Sequence, residues 1–130
     1  TNDLYWYGTN SNSVPTFTTP IPSTTTAGQI IYYVSQMDSN ECESDLATIT
    51  VNIIPTVTVS VTGRTNICSS GILNRTTTLT ATASGGDGNF SYQWRNASGD
   101  IALANAITYE VDAASTYSVE VKSGVCTTVS

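Results

Sequence analysis

The sequence contains no histidine. Its absence removes the usual general base at neutral pH, any Ser-His-Asp arrangement and the commonest metal ligand. Basic residues are nearly as scarce: four Lys and Arg against ten Asp and Glu leave a net charge of −6. No basic stripe exists to neutralise phosphates, so nucleic acid is not an expected partner, and an anionic membrane surface is disfavoured on the same ground. No apolar run approaches the roughly 18 residues that a membrane-spanning helix needs. The start, Thr1-Asn2-Asp3, has no positive region followed by an apolar core. The chain is therefore expected not to be membrane-inserted. Only three cysteines are present, and none stands in the Cys-x-x-Cys spacing of a zinc site or redox motif. Apolar residues nowhere sustain a helical period. Nothing points to a cofactor or to catalysis.

What is present occurs twice. Leu4-Tyr5-Trp6-Tyr7 is followed by Tyr32-Tyr33-Val34 and Cys42, and Phe90-Ser91-Tyr92-Gln93-Trp94 by Thr116-Tyr117-Ser118-Val119 and Cys126. The step from Tyr33 to Cys42 equals that from Tyr117 to Cys126, nine positions in each case. A fixed internal period is the signature of a repeat array. Two strand-like stretches and Cys68 precede Trp94, whereas only Thr1 to Tyr5 precede Trp6. The expectation is a cut segment holding two incomplete modules of roughly 75 to 90 residues when whole. Residues 1–54 would be the C-terminal part of one module. Residues 55–130 would be a second, lacking most of its last strand. Pro55 marks the junction, because proline ends ladder pairing and stiffens a short linker. Three cysteines in a short, loop-rich chain suggest an oxidising compartment, and an odd count fits a cut through a repeat.

Serine and threonine make up about three residues in ten, a bias suited to short strands with one face toward water. Thr56-Val57-Thr58-Val59-Ser60-Val61-Thr62 alternates at period two, with the valines on one face. Thr78-Leu79-Thr80-Ala81-Thr82-Ala83 does the same, and Gly85-Gly86-Asp87-Gly88-Asn89 then breaks the pattern with turn residues. Phe90, Tyr92 and Trp94 share the next inward face, closed by the turn Asn96-Ala97-Ser98-Gly99-Asp100. Ile107, Tyr109 and Val111 form a shorter inward face; Tyr117, Val119 and Val121 form the next. In the first half, Leu4 to Tyr7, Gln29 to Gln36 and Leu46 to Ile53 read as strands. Asp38 to Asp45 forms an acidic hairpin loop between the last two. The polar stretch from Thr9 to Gly28 holds Pro15, Pro20 and Pro22, which imply edge or extended backbone.

Short strands at regular spacing, a tryptophan buried on the third and a tyrosine opening the penultimate one describe an all-β chain of tandem immunoglobulin-like β-sandwich modules, both truncated. Trp6, Tyr33, Trp94 and Tyr117 are the expected core aromatics. Trp6, Tyr7, Tyr92 and Trp94 would otherwise offer a sugar-stacking platform, but period-two placement reads more simply as core. Tyr5 and Tyr7 fall on the face opposite Leu4 and Trp6. They are the aromatic pair available to a ligand.

The remaining motifs are weak. Asp38, Asn40, Glu43 and Asp45 could supply oxygens to calcium from one loop. That loop lacks the EF-hand glycine and the bidentate glutamate at the twelfth position, so the simpler reading is a charged hairpin with no metal. Asp87, Asp100 and Asp112 could pair as acid and base, but each falls in a turn signal, where solvated carboxylates are usual. Asn74-Arg75-Thr76, Asn89-Phe90-Ser91 and Asn96-Ala97-Ser98 fit the N-glycosylation pattern, a match expected by chance in so threonine-rich a chain.

The pattern Tyr-x-Trp, a Ser/Thr stretch, Thr-Tyr-x-Val, then Gly-Val-Cys or Glu-Cys resembles the Ig-like and PKD-like repeats of giant cell-surface adhesins of Bacteroidota. Leu4 to Tyr7 with Thr25 to Gln36 is especially similar to flavobacterial gliding-motility adhesins of the SprB type. The resemblance covers nearly the whole chain. It implies type IX secretion, a location outside the cell in association with the outer membrane, and a role in adhesion or gliding. The neighbouring repeats of the same chain would be partners, and a surface polysaccharide or substratum would be gripped. Secreted hydrolases of these bacteria carry similar modules, so a carbohydrate-binding or spacer module of an exported polysaccharide hydrolase is the alternative. The resemblance also implies a Cys68–Cys126 disulfide, with Cys42 pairing upstream of Thr1. In simple Ig order those two cysteines lie at opposite ends, about 20 Å apart for six-residue strands. The bond then requires the stretch from Gly63 to Arg75 to run back along the sheet edge.

Overall fold

A computed structural model of the protein describes residues 3–68 and 75–130. These residues are organised entirely by antiparallel β-sheets, in two compact units, Thr1–Ile54 and Pro55–Ser130. Among the described residues no helix is long and apolar enough to cross a membrane.

The first unit is a three-stranded sheet in the order β1-β2-β3, from β1 (Asp3–Gly8), β2 (Gly28–Met37) and β3 (Ala47–Ile53). Its strands are rich in Tyr, Ile, Val and Thr, which fit a pleated, half-buried surface. Register decides which side chains share a face. Trp6 pairs with Val34, Val34 with Ala47, and Tyr32 with Ile49. Directly opposed residues point the same way. Leu4, Trp6, Tyr32, Val34, Ile49 and Val51 therefore lie on one face, and Tyr5, Tyr33, Ser35 and Thr50 on the other.

This register corrects one expectation. Tyr33, expected in the core with Trp6, is half-buried on the opposite face, and Tyr32 is the buried tyrosine. A shift of one residue exchanges the faces of a strand. Its source is the pairing itself: Val34, not Tyr33, stands opposite Trp6, so Tyr32 two residues away shares the Trp6 face. Beyond Trp6 a bulge passes the pairing directly to Gly8–Tyr33 and leaves Tyr7 as the extra residue. Gly8 adopts φ 67°, the left-handed region that glycine enters at no steric cost. The proline-containing stretch beyond it makes one bridge to β1. There Trp6 N–H donates to Thr16 O at 2.8 Å and Thr16 N–H to Trp6 O at 2.9 Å.

The second unit is a two-layer sandwich. Strands β4 (Thr58–Thr62), β5 (Thr77–Ser84) and β8 (Thr108–Val111) form one sheet in the order β4-β5-β8. Strands β6 (Ser91–Asn96), β7 (Gly99–Asp100), β9 (Ser118–Ser123) and β10 (Cys126–Val129) form the other, in the order β10-β9-β6-β7. Val57 and Ala81 from the first layer meet Trp94, Val119 and Val121 from the second in one buried core. Trp94 is wholly enclosed, at 0% exposure. Its indole N–H donates to Ala106 O at 2.9 Å, and its ring stacks on Tyr109 at 5.8 Å. A buried indole needs such a partner. Tyr117 is half-buried and packs on Tyr109 at 5.7 Å.

The loop between β5 and β6 is fixed by Ser123, which is 1% exposed. Its hydroxyl donates to Asp87 Oδ1 at 2.7 Å and accepts Asp87 N–H at 2.9 Å. Gly86, at φ 59°, lets the chain pass: a Cβ there would stand 2.2 Å from Ser123 Oγ.

Three details depart from the alternation of the sequence. Ile107, expected inward, is 51% exposed and precedes its strand. The turn after Trp94 contains the short strand β7, which pairs Asp100 with Arg95. The residues after β9 already pair as a strand, from Cys126 opposite Ser123 to Val129 opposite Glu120. Gly124, at φ 56°, makes that reversal tight.

Candidate functional site

The outer face of the first sheet gathers most of the polar and aromatic groups singled out in the sequence. Register places Tyr5 opposite Ser35, on the side away from Trp6. Its ring packs edge-on against Phe17, with centroids 4.9 Å apart at 61°. Phe17 is 70% exposed. Tyr7, freed from the ladder by the bulge, donates its hydroxyl to Glu43, and the buried Ser35 hydroxyl donates to the same Oε1.

Glu43 reaches this position because its hairpin is tightly wound. Asp38 Oδ1 accepts the N–H groups of Asn40 and Cys42, each at 2.8 Å, and Asp38 N–H donates to Cys42 O at 3.0 Å. Glu41 takes φ 63° at the tip, and a bridge pairs Met37 with Glu43. Electrostatics follow from these bonds. The Ser35 and Tyr7 hydroxyls hold the Glu43 carboxyl below its ordinary value, and Glu43 in turn raises the Tyr7 phenol. The amides of Cys42 and Asn40 lower Asp38. Hydrogen bonds to the charged form are the cause in both carboxylates.

Chemically, this arrangement is a pin. Glu43 accepts two hydroxyls and so ties the hairpin to β1 and β2. The four residues weighed for calcium are not gathered: Asp38 is spent on its own loop, and Glu43 is turned onto the sheet. Among the described residues no group of three or more His, Cys, Asp or Glu could hold a metal. Phe17 is exposed and Tyr5 half-buried, and their edge-to-face packing leaves the two rings tilted rather than coplanar, so they do not form a flat strip for a sugar.

The other sequence candidates are dispersed. Asp87 is held by Ser123, whose hydroxyl lowers its carboxyl most, and by the N–H of Asn89. Asp100 pairs with Arg95 Nε at 2.5 Å. Arg95 also reaches Glu120 at 2.9 Å, and Lys122 reaches Glu120 at 3.0 Å. This charged outer face of the second unit was not read from the sequence. The solvent-facing Arg95–Asp100 pair contributes about 0–1 kcal/mol, whereas Glu120, with its side chain only 14% exposed, is held by both Arg95 and Lys122. Asn89 is exposed in its turn, Asn96 accepts Ser98 N–H at 2.9 Å, and Asn74 lies outside the described residues.

The cysteines are also apart. Cys42, Cys68 and Cys126 are free in the structure, the first two exposed and the third half-buried. Ile67, beside Cys68, shares a cavity of about 530 Å³ with Val61, Leu79, Val111 and Tyr117. Tyr117 immediately precedes β9, whereas Cys126 pairs with Ser123 at its other end. The six residues of β9 separate those ends by about 20 Å. The disulfide implied by resemblance is therefore not formed, because bridged Cα atoms must approach within about 7 Å.

Phe17 and Ser35 were missed as members of this face. Phe17 stands among prolines with no period to place it, and Ser35 is assigned to a face only by its pairing with Tyr5. Compared with models of protein families and with curated proteins, the chain matches none.

Proposed function

We propose that this chain is a non-catalytic repeat segment of a secreted cell-surface adhesin, built from tandem immunoglobulin-like modules that act as spacer and adhesive elements of a filament, in gliding motility by resemblance. One observation carries the reading. The order β1-β2-β3 in the first unit matches β6-β9-β10 in the second, with the tryptophan strand beside the strand that holds the signature tyrosine in the first unit and directly follows it in the second. A supersecondary unit repeated along a chain suits a quasi-linear stack in which each module contacts chiefly its neighbours. The network around Glu43, Tyr7 and Ser35 supports a mechanical role, because it braces a hairpin and leaves no reactive group poised. Antibodies raised against the chain should label intact, unpermeabilised cells, and brief protease treatment should abolish the signal. Labelling only after permeabilisation would overturn the proposal.

A second reading has one observation in its favour, the exposed Phe17 packed on the half-buried Tyr5. It makes the chain a carbohydrate-binding module of an exported hydrolase. Glycan-array binding lost on Tyr5→Ala or Phe17→Ala would support it. No binding by the native chain would remove it.

A further inference from the structure

Each layer of the second unit ends in two edge strands. Three of those edges are short, β7 with two residues and β8 and β10 with four each. β7 and β8 also carry charge, at Asp100 and Glu110. The fourth edge, β4, is different. Its five residues, Thr58–Thr62, hold no charge and no proline. Their register against β5 runs from Thr58–Ser84 to Thr62–Thr80 without a bulge. Among the described residues no strand or bridge pairs with its other edge. Such an edge presents a regular row of N–H and C=O groups, which natural proteins commonly protect with charge, proline or a bulge. We infer that the open edge of β4 is a pairing site for the β4 edge of a second copy of this chain.

The sequence of the strand points to the occupant. Thr58-Val59-Ser60-Val61-Thr62 reads the same in both directions. Antiparallel pairing about a two-fold axis at Ser60 therefore sets Ser60 against its own copy, Val59 against the other chain's Val61 and Thr58 against its Thr62. This is the self-complementary, isologous contact of a two-fold dimer. Val59 and Val61 are half-buried on the inward face, and Thr58, Ser60 and Thr62 are exposed on the outer one. An axis perpendicular to the sheet preserves those faces, so the valine pairs extend the inner layer and the threonine pairs the outer. Pairs of both kinds are favourable neighbours across strands. No like charges meet at the seam, although the chain carries a net charge of −6. Five residues at about 3.4 Å each make a seam about 17 Å long. A single strand-to-strand seam of that length covers less than the roughly 1,200 Å² of stable complexes. The dimer is accordingly weak, with a dissociation constant on the order of 100 µM. The inference rests on this edge alone and stands whether or not the chain belongs to an adhesin.

Sedimentation velocity of the intact chain from about 10 µM to 1 mM, bracketing that constant, tests it. The expected result is a shift from one chain to two as concentration rises. Ser60→Lys and Ser60→Glu should each weaken association roughly fivefold, because the axis sets like charges directly opposite each other. Mixed in equal amounts, the two variants should associate at least as tightly as the native chain. Thr108→Lys, at the exposed start of β8 on the far edge of the same sheet, should change nothing. If either Ser60 variant loses its far-ultraviolet β signal, Thr58→Lys and Thr62→Glu replace the two, since those positions also meet across the seam. A native chain that stays single throughout the range would overturn the inference. So would a dimer that the charged variants leave intact, or one that their mixture does not restore.

Discussion

Replacing each signature tryptophan in turn should give very different losses. Trp94 is at 0% exposure, donates its indole N–H to Ala106 O at 2.9 Å and stacks on Tyr109. Trp94→Ala removes the whole ring from a packed core, at a cost of about 3–5 kcal/mol. It also leaves the Ala106 carbonyl without its donor, a loss of about 1 kcal/mol. A unit of this size has only about 5–15 kcal/mol to lose, so Trp94→Ala should leave the second unit close to unfolding. Trp6 is half-buried on a face without a second layer, and Trp6→Ala should cost roughly half as much or less. Two units need not unfold together, so a single melt would mix them. Amide hydrogen exchange read at Val119 and Val121 isolates the second unit. The expected result is a collapse of protection there in Trp94→Ala and almost no change in Trp6→Ala. Equal losses at Val119 and Val121 from both substitutions would refute the assignment of Trp94 alone to that core.

The Glu43 pin should fail in acid. Its folded pKa lies below the unfolded value, so its contribution is fully present above the ordinary glutamate value of about 4.3 and is lost as pH falls through the lower folded value, under which Tyr7 and Ser35 depress it. Amide shifts across the 38–44 hairpin should follow that titration, and Glu43→Gln should abolish it. Ser123→Ala strips Asp87 of both a donor and an acceptor at a buried site and should destabilise the second unit by about 1–3 kcal/mol in denaturant melts. Asp87 should then titrate at higher pH, because the Ser123 hydroxyl is the main cause of its lowered value. Alkylation without reductant should label Cys42 and Cys68 quickly and Cys126 more slowly, following their exposure. A Cys68–Cys126 cross-linked peptide would contradict the strand topology.

The sandwich strands of the second unit were legible because period-two alternation survives wherever one face is buried. Val57, Ala81, Trp94, Val119 and Val121 all lie on faces that alternation marks as inward. Ile107 failed because the pattern reports apolarity, not pairing, and the residue stands one position before β8. In the first unit the strands were legible but the tyrosine face was not. Tyr32 and Tyr33 are adjacent and identical, and only the pairing of Trp6 with Val34 decides which of them shares its face. The pin was half legible: Tyr7 and Glu43 were each singled out, for a ligand and a cation. Their meeting depends on how the hairpin curls over β2. Phe17 carried no signal, since its neighbours are turn-forming and its contact with Tyr5 is tertiary.

The repeat reading is tested most directly by peptide sequencing of the native polypeptide on both sides of this segment. Further copies of the Tyr-x-Trp strand followed by the nine-position Tyr-to-Cys step are the predicted result. A flanking catalytic domain with no further copy of that step would contradict it.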